Sequence, residues 1–220
     1  MRTSEGRQPP GASTFTQLKR RDQLIQAAID AIVDVGFPRA SVAEVARRAD
    51  VSKGVVTYHF AAKNDLIQAV IADVLTSMKE YIEPRLEAAE PLVFPERFIA
   101  PYITTWVGYF RTHTREVLAL VRIYNAFRDE TGRPDQAFDV RADEIAAIAQ
   151  ILENGQARGG LGDFDAVTMA AVMKAALDDV LTQYAKDPAL DLETYATELV
   201  ALFERATRPG PDTTKTGARS

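Results

Sequence analysis

The chain has 220 residues, 46% of them apolar, which suffices for a packed interior and argues against a disordered polypeptide. It contains no cysteine, so disulfides, thiol nucleophiles, cysteine-held zinc and iron–sulfur clusters are excluded, and a reducing cytoplasm is the expected setting. The net charge of −5 is unevenly spread: residues 1–63 carry 10 Lys and Arg against 6 Asp and Glu, a surplus of +4, whereas the remainder carries 16 against 25, or −9. A basic front segment can meet an anion although the whole chain is acidic.

Residues 1–16, with Gly, Pro, Ser and Thr and no periodicity, read as a flexible arm lacking the hydrophobic stretch of a signal peptide. Apolar residues then recur at three- and four-residue steps, as in Ile25, Ala28, Ile29, Ile32 and Val33 and again in Ile67, Val70, Ile71, Val74 and Met78. No segment alternates with period two and no apolar run spans a membrane, so an all-α protein of about nine helices is expected. The first helix runs from near Gln17 to Val35 and stops at Gly36, a left-handed cap followed by Phe37-Pro38. Ser41-Val-Ala-Glu44 has the form of a capping box, the Ser oxygen accepting the third helical N–H while Glu44 reaches back; the second helix then starts at Val42 and ends near Ala49-Asp50. Ser52 is placed to cap a third helix, Lys53 to about His59, and two short helices separated by a few residues have helix-turn-helix spacing. A fourth helix is expected from Lys63 to Glu83. Five more fall at about 95–112, 114–128, 135–157, 163–186 and 190–207, with Pro84, Pro91, Pro95, Pro134 and Pro188 at the breaks and a disordered tail from 208 to 220.

A two-turn third helix is not stable alone, so its neighbours must hold it. Val56 and Phe60 join an expected core of Ile25, Ile29, Val42, Val45, Ala46 and Leu66. The other face offers Lys53, Gly54, Val55, Thr57, Tyr58 and His59: donors, an aromatic hydroxyl and a glycine that permits close approach, a set suited to a major groove walled by phosphates.

The run Asp50-Val-Ser-Lys-Gly-Val-Val-Thr-Tyr-His-Phe-Ala-Ala-Lys-Asn-Asp-Leu66, with the Gly36-Phe37 turn and Ser41-Val-Ala-Glu-Val-Ala46 before it, resembles the helix-turn-helix signature of TetR-type repressors from Ile25 to Val70. The stretches 176–188 and 191–203 look like the last two helices of that family. The resemblance implies a homodimer that places its two front modules in successive major grooves of a pseudo-palindromic double-stranded operator, with half-sites about 34–36 Å apart. Carried over by position, Lys53, Gly54, Val55 and Thr57 would face bases, while Ser41, Tyr58, His59 and Lys63 would grip phosphates. Thr57 stands where the family often has Tyr; its shorter side chain can touch a thymine methyl or donate one hydrogen bond. A division into a DNA-binding segment at 17–63 and a ligand-binding and dimerising segment at 64–207 follows. The implied action is repression relieved by a small-molecule inducer, with the fourth helix as the link and no cofactor or metal. Lys19, Arg20 and Arg21 fit either a solvated helix start or added backbone contacts.

The middle helices carry Phe98, Tyr102, Trp106, Tyr109, Phe110, Tyr124 and Phe127. Such a stripe packs a core in most proteins. Tyr102, Thr105, Trp106, Tyr109, Tyr124 and Asn125 also have the polar tips that line a mostly apolar small-molecule cavity, the region where the resembling family binds inducers. Pro101 fits either a kink or a first turn. The eighth and ninth helices are apolar on more than one side (Leu177, Val180, Leu181 and Tyr184; Leu192, Tyr195, Leu199, Leu202 and Phe203), as expected of an interface between two copies or of helices central to one. Catalysis finds no support: His59 and His113 lie in different segments, and Gly159-Gly-Leu-Gly162 lacks the lysine and the helix-opening hydroxyl of a phosphate loop. The rival readings are a helical ligand-binding or scaffolding protein without specific operator recognition, and an activator or architectural DNA binder with the same module.

Overall fold

The computed structural model describes residues 10–90, 95–126, 141–187 and 189–210. Among these the chain is all helical, with nine α-helices and no strand: α1 (Pro10–Val35), α2 (Val42–Arg48), α3 (Lys53–His59), α4 (Lys63–Glu87), α5 (Ile99–Thr112), α6 (Thr114–Ala126), α7 (Arg141–Ala157), α8 (Ala166–Lys186) and α9 (Leu192–Ala206). No described helix is long and apolar enough to cross a membrane. The described residues up to Thr76, together with α6 from Arg115, form one compact unit; Ser77–Thr114 and the residues from Arg141 onward form a second, so α4 is shared between them.

In the first unit α1 buries Leu24, Ile25, Ala28, Ile29, Ala31 and Ile32, a stripe at helical spacing. It stops at Gly36, whose φ of 86° and ψ of 152° lie in a region open to glycine alone, beyond the left-handed cap that the sequence suggests. α1 begins at Pro10, seven residues ahead of Gln17, so residues 10–16 are helical where an arm is expected. Proline opens a helix at no cost because its absent N–H would have no partner there. Val45, Ala46, Val56, Phe60, Leu66, Ile67 and Val70 complete this interior, while Val42 is only half-buried. α6 adds Val117, Leu118, Ala119, Leu120 and Ile123. It is tied to α1 by Arg115, which donates to Asp30 (2.6 Å) and Asp34 (2.8 Å), and by Arg122, which donates to the carbonyls of Ile32 (3.0 Å) and Val33.

In the second unit α5 buries Tyr102, Ile103, Thr105, Val107, Tyr109 and Phe110. Pro101 is its third residue and occupies the first turn, where it breaks no bond. Pro84, expected as a stop, lies inside α4: it removes one bond three residues before the end at Glu87, too little to terminate the helix. The connection from α7 to α8 is fixed by its glycines. Gly159 takes φ 72°, Gly160 and Leu161 both donate to the carbonyl of Gly155, and the Gly162 N–H donates to the carbonyl of Thr207 at 2.8 Å. A Cβ on Gly162 would meet the Arg208 carbonyl oxygen at 2.6 Å, so close backbone approach explains the glycines that resemble a phosphate loop. Asp165 and Asp191 cap α8 and α9, accepting the N–H groups of Thr168 and of Glu193 and Thr194. These two helices start at Ala166 and Leu192, two or three residues later than the periodicity suggests. Phe127, residues 135–140 of the expected seventh helix, Pro91, Pro134, Pro188 and the tail from 211 lie outside the described residues.

Candidate nucleic-acid interface

The helix-turn-helix is set by short-range bonds. Ser41 Oγ accepts the Glu44 N–H at 3.2 Å, the expected cap, but the reciprocal half of the box is not made. The Ser41 N–H donates instead to the Arg39 carbonyl at 2.8 Å, and the Glu44 carboxylate receives the guanidinium groups of Arg47 and Arg48. Those arginines, Arg47 foremost, hold the Glu44 carboxyl down to about 2. Arg48 continues to Asp34, whose carboxyl is likewise held below the usual range, first by Arg115 and then by Arg48. A chain of charges, Glu44–Arg48–Asp34–Arg115–Asp30, thus joins α2, α1 and α6.

Asp50 adopts φ 52° in the turn, a conformation that Asp tolerates better than most residues. The Val51 N–H returns to the Ala46 carbonyl (3.0 Å), and Gln23 of α1 donates to the Ala49 carbonyl (3.0 Å), which pins the turn to the first helix. α3 then spans Lys53–His59, as the sequence indicates, although the Ser52 side chain does not cap it. Its hold on the unit is Val56 and Phe60, both buried. Full burial of two such side chains is worth about 1.5–3 kcal/mol each, enough to fix a helix that is marginal alone.

The outer face of α3 is polar and open. Lys53, Gly54, Thr57 and Tyr58 are exposed, Tyr58 to 75%, while Val55 and His59 are half-buried. Tyr58 and His59 meet edge to face at 5.2 Å between ring centroids. Packing does not require the glycine at 54, where a Cβ would be in ordinary contact with Ser52 Oγ at 3.6 Å. Thr57 Oγ1 donates back to the Lys53 and Gly54 carbonyls (3.2 and 3.1 Å), so its hydroxyl proton is used within the helix. Lys63 is turned inward: its ammonium donates to the Phe37 carbonyl (3.0 Å), lies 4.7 Å from the Phe37 ring centroid, and is pushed below the ordinary lysine range by burial. Arg21 of α1 covers the Phe60 ring at 5.1 Å, and Arg20 donates to Gln23. Arg47, which periodicity did not single out, is 68% exposed on α2.

The expected cavity residues are divided. Tyr102, Thr105, Trp106 and Tyr109 lie on α5 in the second unit, whereas Tyr124, half-buried, and Asn125, exposed, lie on α6 in the first. Tyr109 stacks on His113 at 4.2 Å and donates to Ser77 Oγ at 3.2 Å. Sequence reasoning missed the charges beside Tyr102 and Trp106. Lys174 of α8 bonds Asp178 one turn on and bridges to Glu144 of α7 at 3.4 Å, and its ammonium lies 5.7 Å from the Trp106 ring centroid. The Tyr102 hydroxyl is pushed upward, chiefly by burial and then by the negative charges of Glu144 and Asp178. The Trp106 indole opposes that shift slightly, yet no acceptor is aligned with its buried N–H. The Lys174–Asp178 pair is local, but bringing Lys174 to Glu144 and to Trp106 takes contact across 30 residues or more, which no local pattern announces. Among the described residues no three His, Asp or Glu side chains converge in a way that could hold a metal ion.

A family model described as bacterial regulatory proteins, tetR family, matches residues 24–70. The HTH-type transcriptional regulator BetI of Klebsiella pneumoniae (strain 342) is 42% identical over 69 residues, 31% of this chain and 35% of that protein, so the likeness spans about a third of the relative. Solved structures share the fold over most of the chain. A bacterial regulatory protein in the tetR family from Rhodococcus RHA1 is 20% identical with a TM-score of 0.69, covering 88% of this chain and 99% of that one. A TetR transcription regulator from Haloarcula marismortui is 17% identical with a TM-score of 0.70, covering 86% and 98%. The chain therefore carries the helix-turn-helix of the bacterial regulatory proteins of the tetR family, on the all-helical fold of TetR-family regulators.

Proposed function

We propose that this chain is a dimeric, sequence-specific DNA-binding regulator of the repressor type, working in the cytoplasm and released from its operator by a small molecule. The observation that carries this reading is α3, a seven-residue helix that two buried side chains anchor from behind while Lys53, Gly54, Thr57 and Tyr58 stand exposed in front. Residues 17–63 take the reading role and 64–207 the sensing and dimerising one. Lys53, Gly54, Val55 and Thr57 meet base edges, Thr57 through apolar contact because its proton is engaged; Ser41, Tyr58, His59 and Lys63 meet phosphates, and exposed Arg47 joins them.

Support for pairing of two copies comes from α8 and α9. Val167, Val172 and Leu202 are 55%, 51% and 50% exposed, and a shallow groove of about 530 Å³ along α9 is lined by Leu190, Tyr195, Leu199 and Leu202 among others. Apolar area of this kind is unusual on a helix that meets only water. The action is binding, and no catalytic step is assigned. A ligand that prefers a conformer with weak operator affinity lowers that affinity by its own differential affinity for the two states.

The test is selection of bound sequences from a random duplex pool, followed by salt titration of the enriched set. A pseudo-palindrome bound tightly and with a steep salt dependence is expected. Absence of enrichment at low salt overturns the reading in favour of a helical ligand-binding or scaffolding protein. Activation in a reporter assay with the selected operator would reverse only the sign of regulation.

A further inference from the structure

We propose that Glu44 is a specificity-determining positioning residue of the DNA-binding module. Its carboxylate withholds Arg47 from the phosphate backbone, so Arg47 adds to binding only where a registered complex sets a phosphate in the carboxylate's place. The inference deepens the DNA-binding reading above and rests on it. Arg47 holds Glu44 by a fork, Nε donating to Oε2 at 2.9 Å and Nη2 to Oε1 at 2.7 Å. Arg48 donates to the same Oε1 from Nε at 2.7 Å, and its Nη1 donates to Asp34 of α1 at 2.5 Å. The two arginines are thus held differently. Arg48, its side chain 18% exposed, is tied to carboxylates on two helices and belongs to the packing of α2 on α1. Arg47 is 68% exposed, and its fork closes on Glu44 of its own helix.

Position and chemistry give this pair a role in reading DNA. The first helix of a helix-turn-helix crosses the nucleic-acid backbone. On α2 the exposed positions are Ser41 at the cap, Ala43 and Arg47, the last two one turn apart on one side. A phosphate offers a guanidinium the same two-oxygen geometry as a carboxylate, so the fork can pass from one to the other without changing shape. The exchange has a cost, because Glu44 is left with Arg48 alone beside an anion. Contacts to base edges fix the register and hold each phosphate at a definite place, which offsets that cost. On random duplex the module slides, the phosphates have no fixed register, and the fork stays on Glu44. The carboxylate therefore removes one cation from sequence-independent attraction and releases it in the registered complex. Arg47 foremost, then Arg48, hold the Glu44 carboxyl down to about 2, so the mask persists across the neutral range.

The test compares wild type, R47A, E44Q and the E44Q/R47A double variant on a selected operator and on random duplex of equal length, titrated over a range of salt. Circular dichroism melts first establish that each is folded at neutral pH. E44Q should bind random duplex about threefold or more tightly at low salt, with a salt slope steeper by about one phosphate contact. It should gain less on the operator, so operator preference falls. R47A should weaken the operator complex and flatten its salt slope by about one, with little change on random duplex. In the R47A background the gain from E44Q should shrink, because no guanidinium remains to be freed. Equal gains from E44Q with and without Arg47 reduce Glu44 to a like-charge repulsion and overturn the proposal. Equal gains on operator and random duplex overturn it too. The comparison of wild type with R47A decides even where E44Q does not fold: R47A that weakens both DNAs alike, or neither, overturns the masking. Operator selection by wild type reads the DNA-binding proposal separately. An operator bound tightly while the Glu44 and Arg47 variants behave as wild type sinks the mask alone, and a wild type that selects no operator sinks the reading on which the mask rests.

Discussion

The helix-turn-helix and the α5–α7–α8 cluster use polar groups in opposite ways. In the first, many bonds span three or four residues, as with Ser41 to Glu44 and Thr57 to Lys53, and with the longer ties of Gln23 to Ala49 and Lys63 to Phe37 they settle the backbone so that an outer face remains open. In the second, the Lys174 ammonium is gathered with Glu144 thirty residues away and Trp106 nearly seventy away, and the polar groups turn toward one another within a mostly apolar interior. A face built locally can be read from a short string of sequence. A cluster built from three helices exists only once the helices have packed.

The largest effect should fall on the second region. Gly162→Ala forces a Cβ to within 2.6 Å of the Arg208 carbonyl oxygen, a backbone atom that cannot step aside as a side chain would. The cost should be about 1–3 kcal/mol, seen as a lowered melting temperature; unchanged melting would mean that the link between Gly162 and the end of α9 yields freely. Next come the two lysines of the front module. Lys53→Ala should remove about 1–2 kcal/mol of discrimination between operator and random DNA with little change in melting, because its side chain is open to solvent. Lys63→Ala should weaken all DNA alike and also lower the melting temperature slightly, since the Phe37 carbonyl loses the Lys63 ammonium and keeps the Ala40 N–H. If the two variants behave identically, the separation of readers from grippers is wrong.

Smaller effects test the charge chain. Arg115 is 46% exposed, so solvent screens its pairs, and Arg115→Ala should cost only about 0.5–1 kcal/mol in a denaturant melt. The last concerns pH. Because Glu44 is lowered from 4.5 to about 2 and Asp34 is lowered as well, the stability they contribute is present above the ordinary carboxylate range and is lost as pH falls through their folded values. Melting temperature should therefore decline between about pH 4.5 and 2. Glu44→Gln should flatten that decline, and an unaltered slope would assign it to other carboxylates.

Much of the fold was legible because helix ends are local events. α3 spans Lys53–His59, where the sequence places a helix from Lys53 to about His59, since the turn before it carries Ser52 at the start. Gly36 was recognised as a stop, although its ψ of 152° places it outside the expected cap geometry. Misreadings came where a strong rule was applied without its position. Pro10 opens α1 and Pro84 rides inside the last turns of α4, and in each case the missing N–H costs little where the residue stands. The outward face of the front module was equally legible, but the inward turn of Lys63 was not, because its partner at Phe37 lies 26 residues back on another element. Glu44 was expected to reach back to Ser41; nearby Arg47 and Arg48 offer full charges against one amide, and they win.

Arg122 carries a consequence for modularity. At the end of α1 the Ile32 carbonyl accepts the Gly36 N–H and the Val35 carbonyl accepts the Arg39 guanidinium, and a guanidinium from α6, some ninety residues downstream, donates to the Ile32 and Val33 carbonyls as well. The segment that matches the tetR family model is thus not a self-sufficient cassette. A chimera that grafts residues 1–76 onto a foreign body keeps the Gly36 and Arg39 donors but loses the Arg122 guanidinium from the Ile32 and Val33 carbonyls, unless it brings an equivalent of α6 or its own cation.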